Sequence, residues 1–355
     1  MEYIGLDIGF GFTKVTNGNE SKVFKSVVGE ANEIQFQDSL IKAVGGDGPV
    51  LHAEIEGSTY FLGELAERQS AVRSFTLDQN QLMSRYAKTL ALTALANIVE
   101  DGNAIRVVTG LPINAYRRHK DDLAQLLMGK HCVRLTNVVG EEREVNFTID
   151  RVRVIPQPFG SVFNLMLNDL GKVTDRRFLE EKVGIIDVGF RTADYTICDR
   201  TQYSERGSRT SDAGISQAFK IIAGALQEKS GVNVELYRLY EAVERGSIKI
   251  RGKNFGLKRI TEQAMTQLAG QIASDVNGLW ADDWDIDHVV ITGGGGGALK
   301  TFLEPLIEGE MLAIESSTDM RLNNVFGYRK YAAHLWDRAG QPQAAPEAGA
   351  EEATG

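Results

Sequence analysis

GLDIGFGFTK, residues 5–14, holds a conflict that decides how the rest of the chain is read. Tyr3, Ile4, Leu6 and Ile8 supply the apolar run of a buried strand, and Asp7 sits inside it. A buried carboxylate without a partner is costly, so Asp7 is out of place in a purely structural strand. Gly9 and Gly11 permit a tight turn and let a ligand approach the backbone. Phe12 then opens a second strand in which Thr13 and Lys14 offer a hydroxyl and a cation. The stretch reads as a phosphate-and-metal site on a hairpin, but a single copy is equally ordinary turn chemistry.

The chain contains a second copy. DIGF at 7–10 returns as DVGF at 187–190, each after an apolar strand, YIGL in one case and VGII in the other. Each leads into a strand with a threonine, Thr13 and Thr192. The echo reads as an internal duplication with one hairpin per lobe. Two facing hairpins can close on a polyphosphate. The glycine turns, including Gly189 beside Phe190 and Arg191, donate backbone N–H groups to phosphate oxygens. Lys14 neutralises phosphate charge as a point cation. Asp7 and Asp187, from opposite lobes, together can hold hydrated Mg²⁺, which favours one or two carboxylates plus phosphate.

A third element fits the same site. GGGGG at 293–297 ends the apolar strand VVIT and opens a helix. Bare backbone there lets a base or a ribose-phosphate lie close to a helix N-terminus, so Gly293, Gly294, Gly295 and Gly296 are candidate nucleoside contacts. The spacing is not that of a P-loop. A dinucleotide fingerprint is matched only trivially by five glycines, and no acidic residue follows at the required offset.

Composition sets outer limits. The 355 residues can bury a sizeable core and suit two domains. Net charge is -9, against non-specific coating of nucleic acid. Cys132 and Cys198 form no ligand spacing, which suits a reducing cytoplasm. No secretory signal is expected from the N-terminus, and the longest apolar run, residues 90–99, is too short for a bilayer. No membrane attachment is expected.

Along the first half, residues 23–28, 51–56, 58–63 and 104–112 read as strands, as do HCVRLTNVV and REVNFTIDRVRVIP. Residues 29–50 read as a mobile loop, and 81–98 as a helix with Leu82, Tyr86, Leu90, Ala94 and Ile98 every fourth residue. In the second half a strand–turn–strand over 183–197 is followed by a helix with Ile215, Phe219, Ile222 and Leu226 on one face. The segment from Ala339 onward, rich in Ala, Pro, Gly and Glu, reads as a disordered tail.

In order, GLDIGFGFTK, VIPQPFGSVF (154–163), IIDVGFRTADYTI, ITGGGGGAL and NNVFGYRKYA (323–332) resemble the five motifs of the actin-like ATPase superfamily. VVTGLPINAYRRHK at 107–120 is similar to a segment of the bacterial and archaeal ParM/StbA type. The resemblance implies an α/β, actin-like two-lobed fold, each lobe a ribonuclease-H-like mixed sheet with flanking helices and the nucleotide between them. Lobe I would span 1–158, with 325–338 returning to it, lobe II 159–324, and the tail 339–355. Asp7 and Asp187 would place Mg²⁺ and the attacking water. Thr13 and Lys14 would contact phosphates, with Thr192 and Asp194 completing the second hairpin. Gln157 would orient the water, and as a neutral amide it is no strong base, so hydrolysis would be slow. Glu244 falls where the family places a ribose- or base-contacting acid, although an exposed helix face explains it equally well.

The function implied is a cytoplasmic filament-forming ATPase used in plasmid or DNA segregation or in intracellular positioning. It would pair with itself head to tail and reach DNA only through an adaptor. ATP is the expected nucleotide, with GTP left open. A small-molecule kinase of the same fold or a non-polymerising ATP switch are the alternatives. Among remaining features, ADDWDID at 281–287 lacks the frame of a calcium loop and reads as a solvated acidic turn. RRHK at 117–120 reads as a solvated helix start, and Trp280, Trp284 and Trp336 as core or lobe contacts.

Overall fold

The computed structural model describes residues 1–31, 48–75, 85–137, 139–312 and 319–338. Most of the expected loop at 29–50, the first residues of the helix expected over 81–98, and the tail from Ala339 lie outside the described residues.

Two mixed sheets carry the chain. The first is built from β1 (Glu2–Ile8), β2 (Phe12–Thr16), β3 (Ser21–Lys25), β4 (Val27–Glu30), β5 (His52–Ile55), β6 (Ser58–Leu62), β7 (Arg73–Phe75), β8 (Ala104–Leu111), β9 (Gly129–Thr136) and β10 (Glu142–Pro156). Its strand order is β3-β2-β1-β8-β10-β9-β5-β6-β4-β7. The second half adds β11 (Lys182–Val188), β12 (Ala193–Asp199), β13 (Gln202–Ser211), a small ribbon of β14 (Ser247–Ile250) with β15 (Lys253–Gly256), and β16 (His288–Thr292). The second sheet runs β13-β12-β11-β16.

The duplication expected from the motifs is present in the topology. β1 is antiparallel to β2 and parallel to β8, and β11 is antiparallel to β12 and parallel to β16. Both central strands are apolar on both faces, as parallel neighbours covered by helices require. Ile4 and Leu6 in one, Ile185 and Ile186 in the other, are fully buried.

The helices are α1 (Gly63–Gln69), α2 (Arg85–Ala96), α3 (Ile113–Leu127), α4 (Phe159–Met166), α5 (Ser216–Ser230), α6 (Leu239–Arg245), α7 (Lys258–Leu279), α8 (Gly294–Leu303) and α9 (Asn323–Arg338). On α5 the expected face is buried through Phe219, Ile222 and Leu226. α4 and α9 cross where the chain passes between the halves. A Cβ on Gly327 would lie 1.6 Å from the Gly160 carbonyl oxygen, so only glycine admits this approach. Phe163 and Tyr331 stack beside the crossing, with ring centroids 4.2 Å apart. Among the described residues no helix is long and apolar enough to cross a membrane.

Four local readings are corrected. The run at 23–28 is two strands, because Ser26 breaks it: its N–H donates to the Gly11 carbonyl at 3.0 Å and its hydroxyl to the Gly9 carbonyl at 2.6 Å. β13 escaped notice because its polar, charged residues carry no apolar alternation, as suits the edge of a sheet. Trp284 is not core; it is 90% exposed, whereas Trp280 and Trp336 are buried. Asp283 in the same turn is not solvated. It is buried and paired with Lys182 at 2.7 Å and Arg206 at 2.5 Å, which offsets the cost of its charge.

Candidate active site

The first hairpin sets Asp7 opposite Lys14 across β1 and β2. Gly9 N–H closes the turn on the Phe12 carbonyl at 3.1 Å. Asp7 is buried, and both of its oxygens have partners: Lys14 Nζ at 2.6 Å on Oδ2, Gln157 Nε2 at 3.3 Å on Oδ1. Gln157 stands just past β10, its own N–H bonded to the Leu111 carbonyl at 2.9 Å. Thr13 turns away from this group. It is fully buried, and its hydroxyl meets Ser26 Oγ at 2.9 Å, which braces the hairpin from within.

The second hairpin repeats the turn, with Gly189 N–H on the Thr192 carbonyl at 2.9 Å. Its register sets Asp187 opposite Asp194. Aligned by register, Asp194 therefore stands where the first hairpin has Lys14. Thr192 matches Phe12, and Ala193 matches Thr13. The threonine echo in the sequence is one position out of step.

Asp187 and Asp194 are both buried. Burial pushes Asp187 up to about 6; the Asn324 amide, donating at 2.6 Å, opposes this, and the Asp7 charge adds to it. Burial pushes Asp194 up to about 7, against the hydrogen bonds from Thr210 and the Ile113 N–H and with the Asp187 charge.

β16 runs parallel to β11 with Thr292 beside Asp187, which delivers the glycine run to the site. Gly293 has φ +87°, and a Cβ there would lie 2.3 Å from Asp187 Oδ1, so glycine is obligatory on both counts. Gly294 begins α8 and lines the cleft, while Gly295 and Gly296 are buried against Val188, Ile215 and Ile291.

The two hairpins line one cleft. Gly9, Gly11, Phe12, Lys14 and Gln157 face Gly189, Phe190, Thr192, Asp187 and Asp194 across it. Asp7 lies behind Lys14. Arg191 points elsewhere, over the Phe10 ring with its cation 5.8 Å from the centroid. Glu244 is on the exposed side of α6, outside the lining, where its charge acts on Arg321.

Residues 5–160 match the family of N-terminal domains of actin-like proteins, and residues 185–305 match the C-terminal domain of archaeal MreB-like actin homologues. The chain belongs to the actin-like proteins. Its fold is similar to that of several solved structures. A non-polymerisable quadruple mutant of pCBH ParM is 25% identical, with a TM-score of 0.75 over 93% of this chain and 98% of that one. ParM from a 15-stranded filament of Clostridium botulinum is 24% identical, with a TM-score of 0.77 over 93% and 98%. The archaeal actin homologue Ta0583 in complex with ADP is 20% identical, with a TM-score of 0.74 over 94% and 99%. No curated protein sequence matches.

This actin-like cleft has the donors and acceptors that a magnesium nucleotide needs. The N–H groups of Phe10, Gly11 and Phe190, at the hairpin tips, have no acceptor among the described residues, although all three residues are buried. Buried N–H groups rarely go unpaired, and successive ones at a turn form a concave anion site. The acidic donors are all carboxylate oxygens, the hard ligands that magnesium takes.

Three lining residues outside the hairpins and the glycine run were not found from the sequence. Tyr240 fills the mouth, its ring 4.8 Å from Phe12 and 5.4 Å from Phe190. Arg321 lies against Gly294, held by Asp319 and 5.2 Å over the Phe12 ring. Pro112 comes from the turn before α3. Only the last had a signal, as the end of Gly-Leu-Pro after a buried strand.

Proposed function

We propose that this actin-like protein binds a magnesium nucleoside triphosphate, ATP before GTP, hydrolyses it slowly, and assembles head to tail according to the nucleotide it holds. The observation that carries the reading is the pair of register-matched hairpins, with Lys14 and Gln157, both bonded to Asp7 behind them, facing Asp187 across one cleft. The unpaired hairpin N–H groups and Lys14 would take the β- and γ-phosphates. Asp7 and Asp187 would hold Mg²⁺ through its water shell, and the ion would supply charge neutralisation at the transferred phosphoryl group. Gln157 already gives Nε2 to Asp7, which leaves Oε1 to accept from a water. That positions the water without drawing off its proton strongly, so hydrolysis is slow. Gly294 and Arg321 would flank the nucleoside.

We divide the chain into lobe I (1–158 with 325–338) and lobe II (159–324), a reading supported by its two separate sheets and by the crossing of α4 and α9 between them. The filament reading draws support from the 15-stranded ParM filament among the similar structures. Use in plasmid or DNA segregation, or in intracellular positioning, through an adaptor in the cytoplasm is the finer reading we favour. Right-angle light scattering and phosphate release, after adding ATP and Mg²⁺ to the purified chain, test it together. A rise in scattering that decays as phosphate appears is expected. Flat scattering without phosphate release refutes the proposal.

A further inference from the structure

Helix α3 starts without a cap of its own. Its N-cap is Pro112, which has no side-chain acceptor, and no acid stands in the first turn. The first N–H groups of a helix need partners, and here they find them in the other half of the chain. Asp194 Oδ1 accepts from the Ile113 N–H at 3.2 Å, and Thr210 Oγ1 accepts from the Asn114 N–H at 3.2 Å. Thr210 then spends its hydroxyl proton on Asp194 Oδ1, at 2.5 Å. The hydroxyl is donor and acceptor at once, so the three-way contact is fully matched.

Asp194 and Thr210 are neighbours in register on β12 and β13, in the second sheet. α3 packs on β8 and β10 of the first. One turn further along α3, Arg117 pairs with Glu205 of β13 on the exposed flank of the same contact. A carboxylate at a helix N-terminus is also favoured by the helix dipole.

Asp194 faces two ways. Oδ1 is committed to α3, whereas Oδ2 makes no hydrogen bond among the described residues, and the residue lines the cleft. We propose that Asp194 and Thr210 form a clasp that caps α3 across the boundary between the two sheets. The clasp couples the contents of the cleft to the angle between the halves, with Thr210 as the positioning residue. Swinging the halves apart strips two N–H groups and a buried carboxylate of their partners together. A ligand that engages Oδ2 biases that swing, and by reciprocity the clasp sets how firmly the ligand is held. The identity of that ligand rests on the proposed function; the clasp does not.

The test uses Thr210→Val, which removes the hydroxyl at nearly constant volume, and Thr210→Ser, which restores it. Dyes on exposed Cys132 in the first sheet and on Lys229→Cys at the exposed end of α5 report the angle; Cys198 is buried and stays unlabelled. In nucleotide-free protein, Thr210→Val should lengthen or broaden the dye separation. Release of methylanthraniloyl-ATP should quicken roughly fivefold, about what losing one helix cap is worth. Thr210→Ser should match the parent on both readouts. Glu205→Lys, on the exposed flank, should shift both in the same direction as Thr210→Val, and it decides the matter if Thr210→Val does not fold. An unchanged dye separation in the folded variants overturns the clasp. A parent protein that binds no nucleotide overturns the proposed function instead, and the dye separation still decides the clasp.

Discussion

Asp187→Asn should make the protein more stable and inactive at once. Burial pushes Asp187 up to about 6, while the unfolded chain titrates near the ordinary aspartate value of about 3.9. An acid whose pKa is raised by folding holds its proton more tightly folded than unfolded. Its favourable contribution is complete below about pH 4 and is lost as the pH rises through 6. The difference of about two pH units is worth about 3 kcal/mol at pH 8 and about 1 kcal/mol at pH 4.5. Asparagine keeps a carbonyl oxygen to accept from Asn324 Nδ2, and it carries no charge to desolvate. It also relieves Asp194, which the Asp187 charge pushes up further. Urea unfolding of nucleotide-free protein at the two pH values should therefore show a gain of about 3 kcal/mol at pH 8 that shrinks toward 1 kcal/mol at pH 4.5. Phosphate release should vanish in the same variant. A variant no more stable than the parent at pH 8, or one with equal gains at both pH values, would refute the account of this carboxylate.

Gly293→Ala places a Cβ 2.3 Å from Asp187 Oδ1 at φ +87°, and should cost about 2–4 kcal/mol in chemical unfolding from backbone strain and overpacking; a change within about 0.5 kcal/mol contradicts the geometry. Gln157→Ala should slow phosphate release on the order of 100-fold while nucleotide affinity moves less than about threefold, and an unchanged rate removes Gln157 from the chemistry. Trp280→Ala should cost about 3–5 kcal/mol, because the ring is buried and its Nε1 donates to the Gly207 carbonyl at 2.9 Å. Trp284→Ser should stay within about 0.5 kcal/mol, and similar losses for the two would contradict their placement.

The sequence disclosed what repeats or what breaks a rule. An aspartate inside an apolar strand, twice, located the cleft, because burial of a charge is a conflict visible without coordinates. The glycine run after VVIT located the third wall, where Gly293 joins the strand to a helix whose first four residues are bare glycines. What stayed hidden depends on neighbours distant in sequence. Tyr240 and Arg321 are ordinary helix and loop residues until the halves are brought together around Phe12. Trp284 and Asp283 exchanged their expected environments because partners decide burial: Lys182 and Arg206 hold the acid inside, and the tryptophan beside it is left out. The threonine echo misled for a related reason. Matching residue types slid the hairpins by one position, and only strand pairing fixes register.

That register exposes where the duplication stops being symmetric. Corresponding positions opposite the two cleft aspartates carry Lys14 in one half and Asp194 in the other. A cleft with lysine on both sides would attract phosphate, but its second wall could not cap α3, since an ammonium at a helix N-terminus opposes the dipole and offers no acceptor. Aspartate on both sides would cap helices but repel the phosphates and, unscreened, push every carboxylate toward its neutral form. One of each resolves both demands. The cation in the first half neutralises Asp7 and faces the cleft, and the anion in the second half ties the opposite helix to its own sheet. The asymmetry follows from asking one duplicated hairpin to bind a charged ligand and the other to feel that it has been bound.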